Sequence, residues 1–121
     1  MFLRSYIKSL TWSYEVPPDS GAGGNYTIPG LIVPPRSNVL SISFAYVDVS
    51  FVGLPGAAFG LGIVGTPGQF LSLGLLATLP AGTLLALTPG FFLNSVTVTN
   101  DVLGTITAGK ITAVIFYDQI P

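Results

Sequence analysis

The sequence predicts an all-β chain: a single jelly-roll-like β-sandwich of about eight strands with an extended N-terminal arm. Three observations carry that expectation. Short apolar runs recur between Gly/Pro corners at spacings of about 8–12 residues, the pattern of a sandwich or barrel rather than of alternating strands and helices. The strongest runs alternate with a period of two, as strands do when their two faces meet different surroundings. No window carries a convincing amphipathic helix, since Phe70–Leu87 is apolar all round and is interrupted by Gly74, Pro80 and Gly82.

Residues 1–16 place Phe2, Tyr6, Leu10, Trp12, Tyr14 and Val16 at even positions and Ser5, Ser9, Thr11 and Ser13 at odd ones, with Arg4 and Lys8 as exceptions. This reads as an extended arm. Its large side chains, Phe2, Tyr6, Leu10, Trp12 and Tyr14 being the interface positions, are expected to seat in a neighbour's groove, because large aromatic side chains dominate interface energetics. Residues 17–37 contain Pro17-Pro18, Gly21-Ala22-Gly23-Gly24, Pro29-Gly30 and Pro34-Pro35, which makes long regular structure improbable there. The division expected is therefore an arm and linker over 1–37 and a sandwich body over 38–121.

Within the body, Leu40, Ile42, Phe44 and Tyr46 alternate with Ser41, Ser43 and Ala45, giving a strand whose even face is expected to be buried and to end at Asp48. Turns at Gly53-Leu54-Pro55-Gly56 and Gly65-Thr66-Pro67-Gly68 bracket Ala57–Val64; Gln69–Ala77 follows, up to the corner Pro80-Ala81-Gly82. Thr83–Leu87, Phe91–Leu93, Val96–Thr99, a turn at Asn100-Asp101, Val102–Thr107 and Lys110–Ile120 continue the series. The last strand sets Ile111, Ala113, Ile115 and Tyr117 on one side and Thr112, Val114, Phe116 and Asp118 on the other. A strand largely apolar on both faces is covered on both faces. The opposite sheet covers one; for the other, at Val114 and Phe116, the expected cover is another copy of the chain.

Composition points the same way. The 121 residues suit one domain, but 50% are hydrophobic and only 7% charged, against about 25% charged in ordinary soluble domains. The surplus apolar surface must be hidden in a bilayer, a subunit interface or a fibre. Val49 to Asn100 carries no formal charge, yet Pro55, Pro67, Pro80 and Pro89 break it, so no membrane-spanning helix is expected. Arg4 and Lys8 likewise interrupt any secretory signal core. Four basic against five acidic residues cannot form a phosphate-neutralising surface, so no nucleic acid partner is expected. With neither Cys nor His, the chain has no thiolate nucleophile, no zinc site of the usual kinds and no Ser-His-Asp triad. No enzymatic activity and no cofactor are expected.

Two motifs test that conclusion. Gly60-Leu61-Gly62-Ile63-Val64-Gly65 fits the dinucleotide pattern letter for letter, but Thr66-Pro67-Gly68 follows where a helix is required, and the next acidic residue is Asp101. Chance in a Gly-rich chain, or relief of crowding in a strand, explains it better. Asp19-Ser20-Gly21-Ala22 resembles the active-site turn of retroviral-type aspartic proteases, which implies Asp19 as one half of a shared carboxylate pair. Val16-Pro17-Pro18 stands where that family has an apolar strand. Asp48 and Asp118 are expected at or near strand ends and Asp101 in a turn, and these three, with Glu15, read as solvated surface charges. Trp12, with Tyr6 and Tyr14, offers a further alternative, a carbohydrate-binding or adhesion module stacking rings on sugar.

Taken together, the arm over 1–16 and the strand series over 38–121 with its Ala108-Gly109-Lys110-Ile111-Thr112-Ala113-Val114 ending resemble small jelly-roll virion structural proteins of bacteriophages and other viruses. That resemblance implies a capsid, decoration (cement) or spike-base subunit located in the virion. It also implies a homo-oligomer, a trimer being favoured, that contacts other virion proteins and stabilises the particle through apolar interfaces.

Overall fold

The computed structural model describes residues 7–15, 26–74 and 79–120. Its elements, in chain order, are β1 (Ile7–Glu15), β2 (Tyr26–Val33), β3 (Ser37–Val39), β4 (Phe44–Gly53), β5 (Ala58–Ile63), β6 (Thr66–Gly74), β7 (Leu84–Ala86), β8 (Gly90–Phe92), β9 (Val96–Leu103) and β10 (Ile106–Gln119). All pairings are antiparallel. In the first sheet β1 runs along one edge of the long β10, while β4 and β3 lie end to end along its other edge, continued outward by β7 and β8. The second sheet has the order β2-β9-β5-β6. Counting β3 with β4 and β7 with β8 as single broken strands gives, among the described residues, eight strands ordered 1-8-3-6 facing 2-7-4-5. Two interleaved Greek keys of this kind make a jelly roll.

The sheets face each other across a layer of rings. Tyr14 of β1 stacks on Phe59 of β5 at 5.8 Å, Phe59 meets Phe51 of β4 at 5.0 Å, and Phe70 of β6 meets Phe92 of β8 at 5.6 Å. Val47, Leu61, Val98, Val102, Ile111 and Ile115 fill the space between these rings. Burial of this order, at about 25 cal/mol per Å² of apolar surface, is what holds two sheets together. Among the described residues, no helix is long and apolar enough to cross a membrane.

Four expectations are corrected. The segment 7–15 is extended, but it is laid on the chain's own β10 in register from Ile7↔Asp118 to Glu15↔Lys110. The breaker-rich stretch contains β2, paired with β9. Pro29 is accommodated because β2 is an edge strand, where a missing N–H removes no obligatory ladder bond, and the register shifts between Pro29 and Ile32. Both segments therefore belong to the sandwich, and the division at residue 37 does not separate body from arm.

The faces of β4 are the reverse of those expected. Ser43, Ala45 and Val47 are buried, while Phe44 and Tyr46 share the outer side with Asp48 and Ile42, in the turn before β4, is exposed. Rings from other strands fill the core here, and Ala45 lies opposite Ala113, so the inner layer admits only small residues at this point. Ser43 is satisfied there: its hydroxyl accepts the Phe116 N–H at 2.9 Å and donates to the Phe116 carbonyl at 3.3 Å. Finally, β9 runs straight through Asn100 and Asp101, both buried. The turn falls instead at Gly104, whose φ of 73° is one that glycine adopts without strain.

Candidate interaction face

On the outer side of the first sheet, large apolar side chains from separate strands meet in one extended surface. The ladder defines its rows. Thr11 of β1, Val114 of β10, Phe44 of β4 and Ala86 of β7 are directly opposite one another in turn, and the next row is Ser13, Thr112, Tyr46 and Leu84. Beyond Val114, Ser9 stands opposite Phe116, whose ring lies 6.3 Å from that of Phe44. Ile42, Tyr46 and Leu84 are 57%, 43% and 65% exposed, whereas Phe44, Val114 and Phe116 are half-buried between them. Phe44, Tyr46, Leu84, Val114 and Phe116 thus form an apolar patch with a hydroxyl margin on β1.

Charge lies at the two ends of β10. Lys110 faces Glu15 across the ladder at one end, and Asp118 stands between Ile7 and Asn38 at the other. The Oδ1 atom of Asp118 is buried and has no hydrogen-bond partner among the described residues. A buried acceptor without a donor costs about 1–3 kcal/mol. Between these ends a polar relay crosses the margin. Asp48 accepts from the Thr112 hydroxyl, which in turn accepts from Ser13 at 2.8 Å. A carboxylate can only accept, so the proton order along this relay is fixed.

Of the interface residues expected from sequence, Val114 and Phe116 fall in the patch. Leu10, Trp12 and Tyr14 do not: they lie on the inner side of β1, packed into the chain's own core. The even face of β1 is apolar because the opposite sheet covers it. Trp12 is half-buried and its Nε1–H donates to Asn100 Oδ1 at 3.3 Å, so its ring is not presented as a platform for sugar. Phe2 and Tyr6 lie outside the described residues, as does the Asp19-Ser20-Gly21-Ala22 turn. Sequence reasoning misses Phe44, Tyr46 and Leu84 as members of the patch. The signal that could have found them is Asp48, which shares the parity of Phe44 and Tyr46 and so marks the even face as the wet one.

The dinucleotide-like glycines have a packing role. Residues 67–70 of β6 lie opposite Gly62 alone, a bulge that carries Gly68 across the outer side of β5. A Cβ on Gly62 would meet the Gly68 nitrogen at 2.5 Å and the Thr66 carbonyl at 2.6 Å, and one on Gly60 would meet the Leu71 carbonyl at 2.9 Å. Asp101 is held beneath this bulge, accepting from Gly68 N–H at 3.4 Å and from the Thr99 hydroxyl at 3.3 Å. It is therefore a buried structural carboxylate rather than the solvated turn residue expected. Asp48 and Asp118 sit on the other sheet, and among the described residues no three acidic side chains gather into a metal site.

The fold has a counterpart among solved structures. A chain of the capsid of Ralstonia phage GP4 is similar over 94% of this chain and 86% of its own length, with a TM-score of 0.60 and 15% sequence identity. No protein-family model and no curated protein matches the sequence. The likeness is one of fold, and it agrees with the jelly-roll virion resemblance drawn from the strand pattern.

Proposed function

We propose that this chain is a structural virion protein, a capsid, decoration or spike-base subunit that acts through protein contacts and not through a reaction. The observation that carries the reading is the apolar patch on the outer side of β10 and β4, borne by a jelly roll similar in fold to a phage capsid chain. A sheet face with this many large apolar groups loses free energy when covered, and copies of the same subunit are the partners a repetitive shell supplies. Val114 and Phe116 are the interface positions of the last strand. Other virion proteins contact the remaining surface, and a trimer is the assembly the virion resemblance favours. The low charge, 7% of residues, lets like subunits approach with little repulsion, and its near balance leaves nucleic acid out of the contact set.

The test is the state of the purified chain. Light scattering after size exclusion is expected to give a mass of several chains, and electron micrographs of virions labelled with antibody to this chain are expected to show it on the particle. A monomer that stays single at high concentration, or label absent from particles, overturns the proposal.

A further inference from the structure

At one end of the sandwich three strand ends meet in a single row. Arg36, in the corner between β2 and β3, donates its N–H to the Leu93 carbonyl at 3.0 Å, and its carbonyl accepts from the Ile120 N–H at 2.8 Å. The Arg36 Nε–H turns back to the Ile120 carbonyl at 3.2 Å, and the Gln119 Nε2 donates to the Pro35 carbonyl at 3.0 Å. These bonds clasp the end of β10 to the corner at residues 34–36.

Two features of the clasp cost free energy while it stays closed. Arg36 has a φ of 54° and is, among the described residues, the one non-glycine residue with a positive φ. A residue that bears a Cβ is strained in that region and persists there only when its surroundings hold it. Two residues before Ile120, Asp118 Oδ1 is shut off from water without a hydrogen-bond donor among the described residues. Parting the row relieves both costs, since Arg36 regains ordinary backbone angles and water reaches the carboxylate. Little apolar burial opposes this, because Arg36 is exposed and the flanking Leu93 and Ile120 are 65% and 50% exposed. We propose that residues 34–36 and 118–120 form a strained clasp that opens as one unit while both sheets stay folded. The end of the strand that bears Val114 and Phe116 then changes shape while those two side chains keep their places. This inference does not depend on what covers the outer face.

Amide hydrogen exchange of the purified chain, resolved to single residues by fragmentation mass spectrometry, tests it. The Arg36 and Ile120 amides are expected to exchange together, at a rate that hardly changes in low urea, while the Ile111 amide waits for global unfolding. Fraying of the chain end alone would release Ile120 and spare Arg36, whose N–H is bonded to Leu93, and that result overturns the proposal. Variants read the two costs separately. Asp118→Val removes the unpartnered oxygen and is expected to slow exchange at both amides by about fivefold or more, relative to Ile111. Arg36→Ala and Arg36→Gly both lose the Nε bond, but only the alanine variant keeps the strained backbone. Ile120 is therefore expected to exchange about threefold faster, or more, in R36A than in R36G. Equal exchange in those two variants, or no slowing in D118V, means that the closed row stores no strain and overturns the proposal.

Discussion

On the second sheet the outer positions of β5 and β9 are Gly60, Gly62, Thr99 and Asp101, all buried. On the first sheet the outer positions of β4 and β7 include Phe44, Tyr46 and Leu84, half-buried or exposed. Both sheets belong to one jelly roll, yet one closes its own outer side with a bulge of β6 and the other leaves large side chains uncovered. Where the chain folds over itself, sterics demand glycine and the one carboxylate is bonded locally. Where it does not, bulk remains outside, and only association can bury it. Under the proposed function, the difference separates residues that serve folding from residues that serve assembly, and substitutions on the two sides are expected to part accordingly.

The largest effect on stability is expected at Gly62. Its added methyl in Gly62→Ala would stand 2.5 Å from the Gly68 nitrogen, a backbone atom that cannot swing away. The loss is expected to be about 3 kcal/mol in urea unfolding. A near-neutral result would mean that residues 67–70 do not cross this face. Asp101→Ala comes next. It removes the acceptor for Gly68 N–H and the Thr99 hydroxyl beneath the bulge, and is expected to cost about 2 kcal/mol. Unfolding unchanged in that variant would break the claim that the second sheet seals itself.

Sequence makes these two regions legible to different degrees. The two-sided apolar pattern of β10 is unambiguous, and the structure keeps Ile111, Ala113, Ile115 and Tyr117 inside as that pattern requires. The faces of β4 cannot be assigned from bulk alone, because the larger residues are the outer ones. Hydrophobic size argues for burial only if something covers the strand, and here the smaller Ser43 and Ala45 face a core already filled by rings from β1, β5 and β6. Asn100-Asp101 has the composition of a turn, yet side-chain partners remote in sequence, such as Trp12 88 residues away, hold it inside a strand. Contacts of that range have no local signature. The arm is misassigned for the converse reason. Its alternation is real over the described residues of β1, but alternation says that a face is covered, not by which molecule.

A milder change probes the covering of β1. In Trp12→Phe the ring volume falls and the bond to Asn100 Oδ1 is lost, with an expected cost of about 1 kcal/mol. Association should be unaffected, since Trp12 faces the core. Loss of assembly in a variant that melts like the parent would return β1 to the role of an intermolecular arm.

Leu84→Ser is expected to have the smallest effect on folding and so sharpens the comparison most. Leu84 is 65% exposed on the short strand β7, with Tyr46 beside it on the ladder. Removing a side chain that already sits mostly in water takes little from the folded state, so unfolding in urea should move by no more than about 0.5 kcal/mol. In the proposed assembly the same side chain would be covered with the rest of the apolar patch, where its burial is expected to contribute on the order of 1 kcal/mol in each copy. Two such losses per contact should weaken self-association by roughly tenfold or more in sedimentation. A variant that is less stable but associates normally would make Leu84 part of the core's support and leave the outer side of the first sheet without an assembly role. A variant as stable as the parent but dissociated would locate that role in side chains the fold itself does not need.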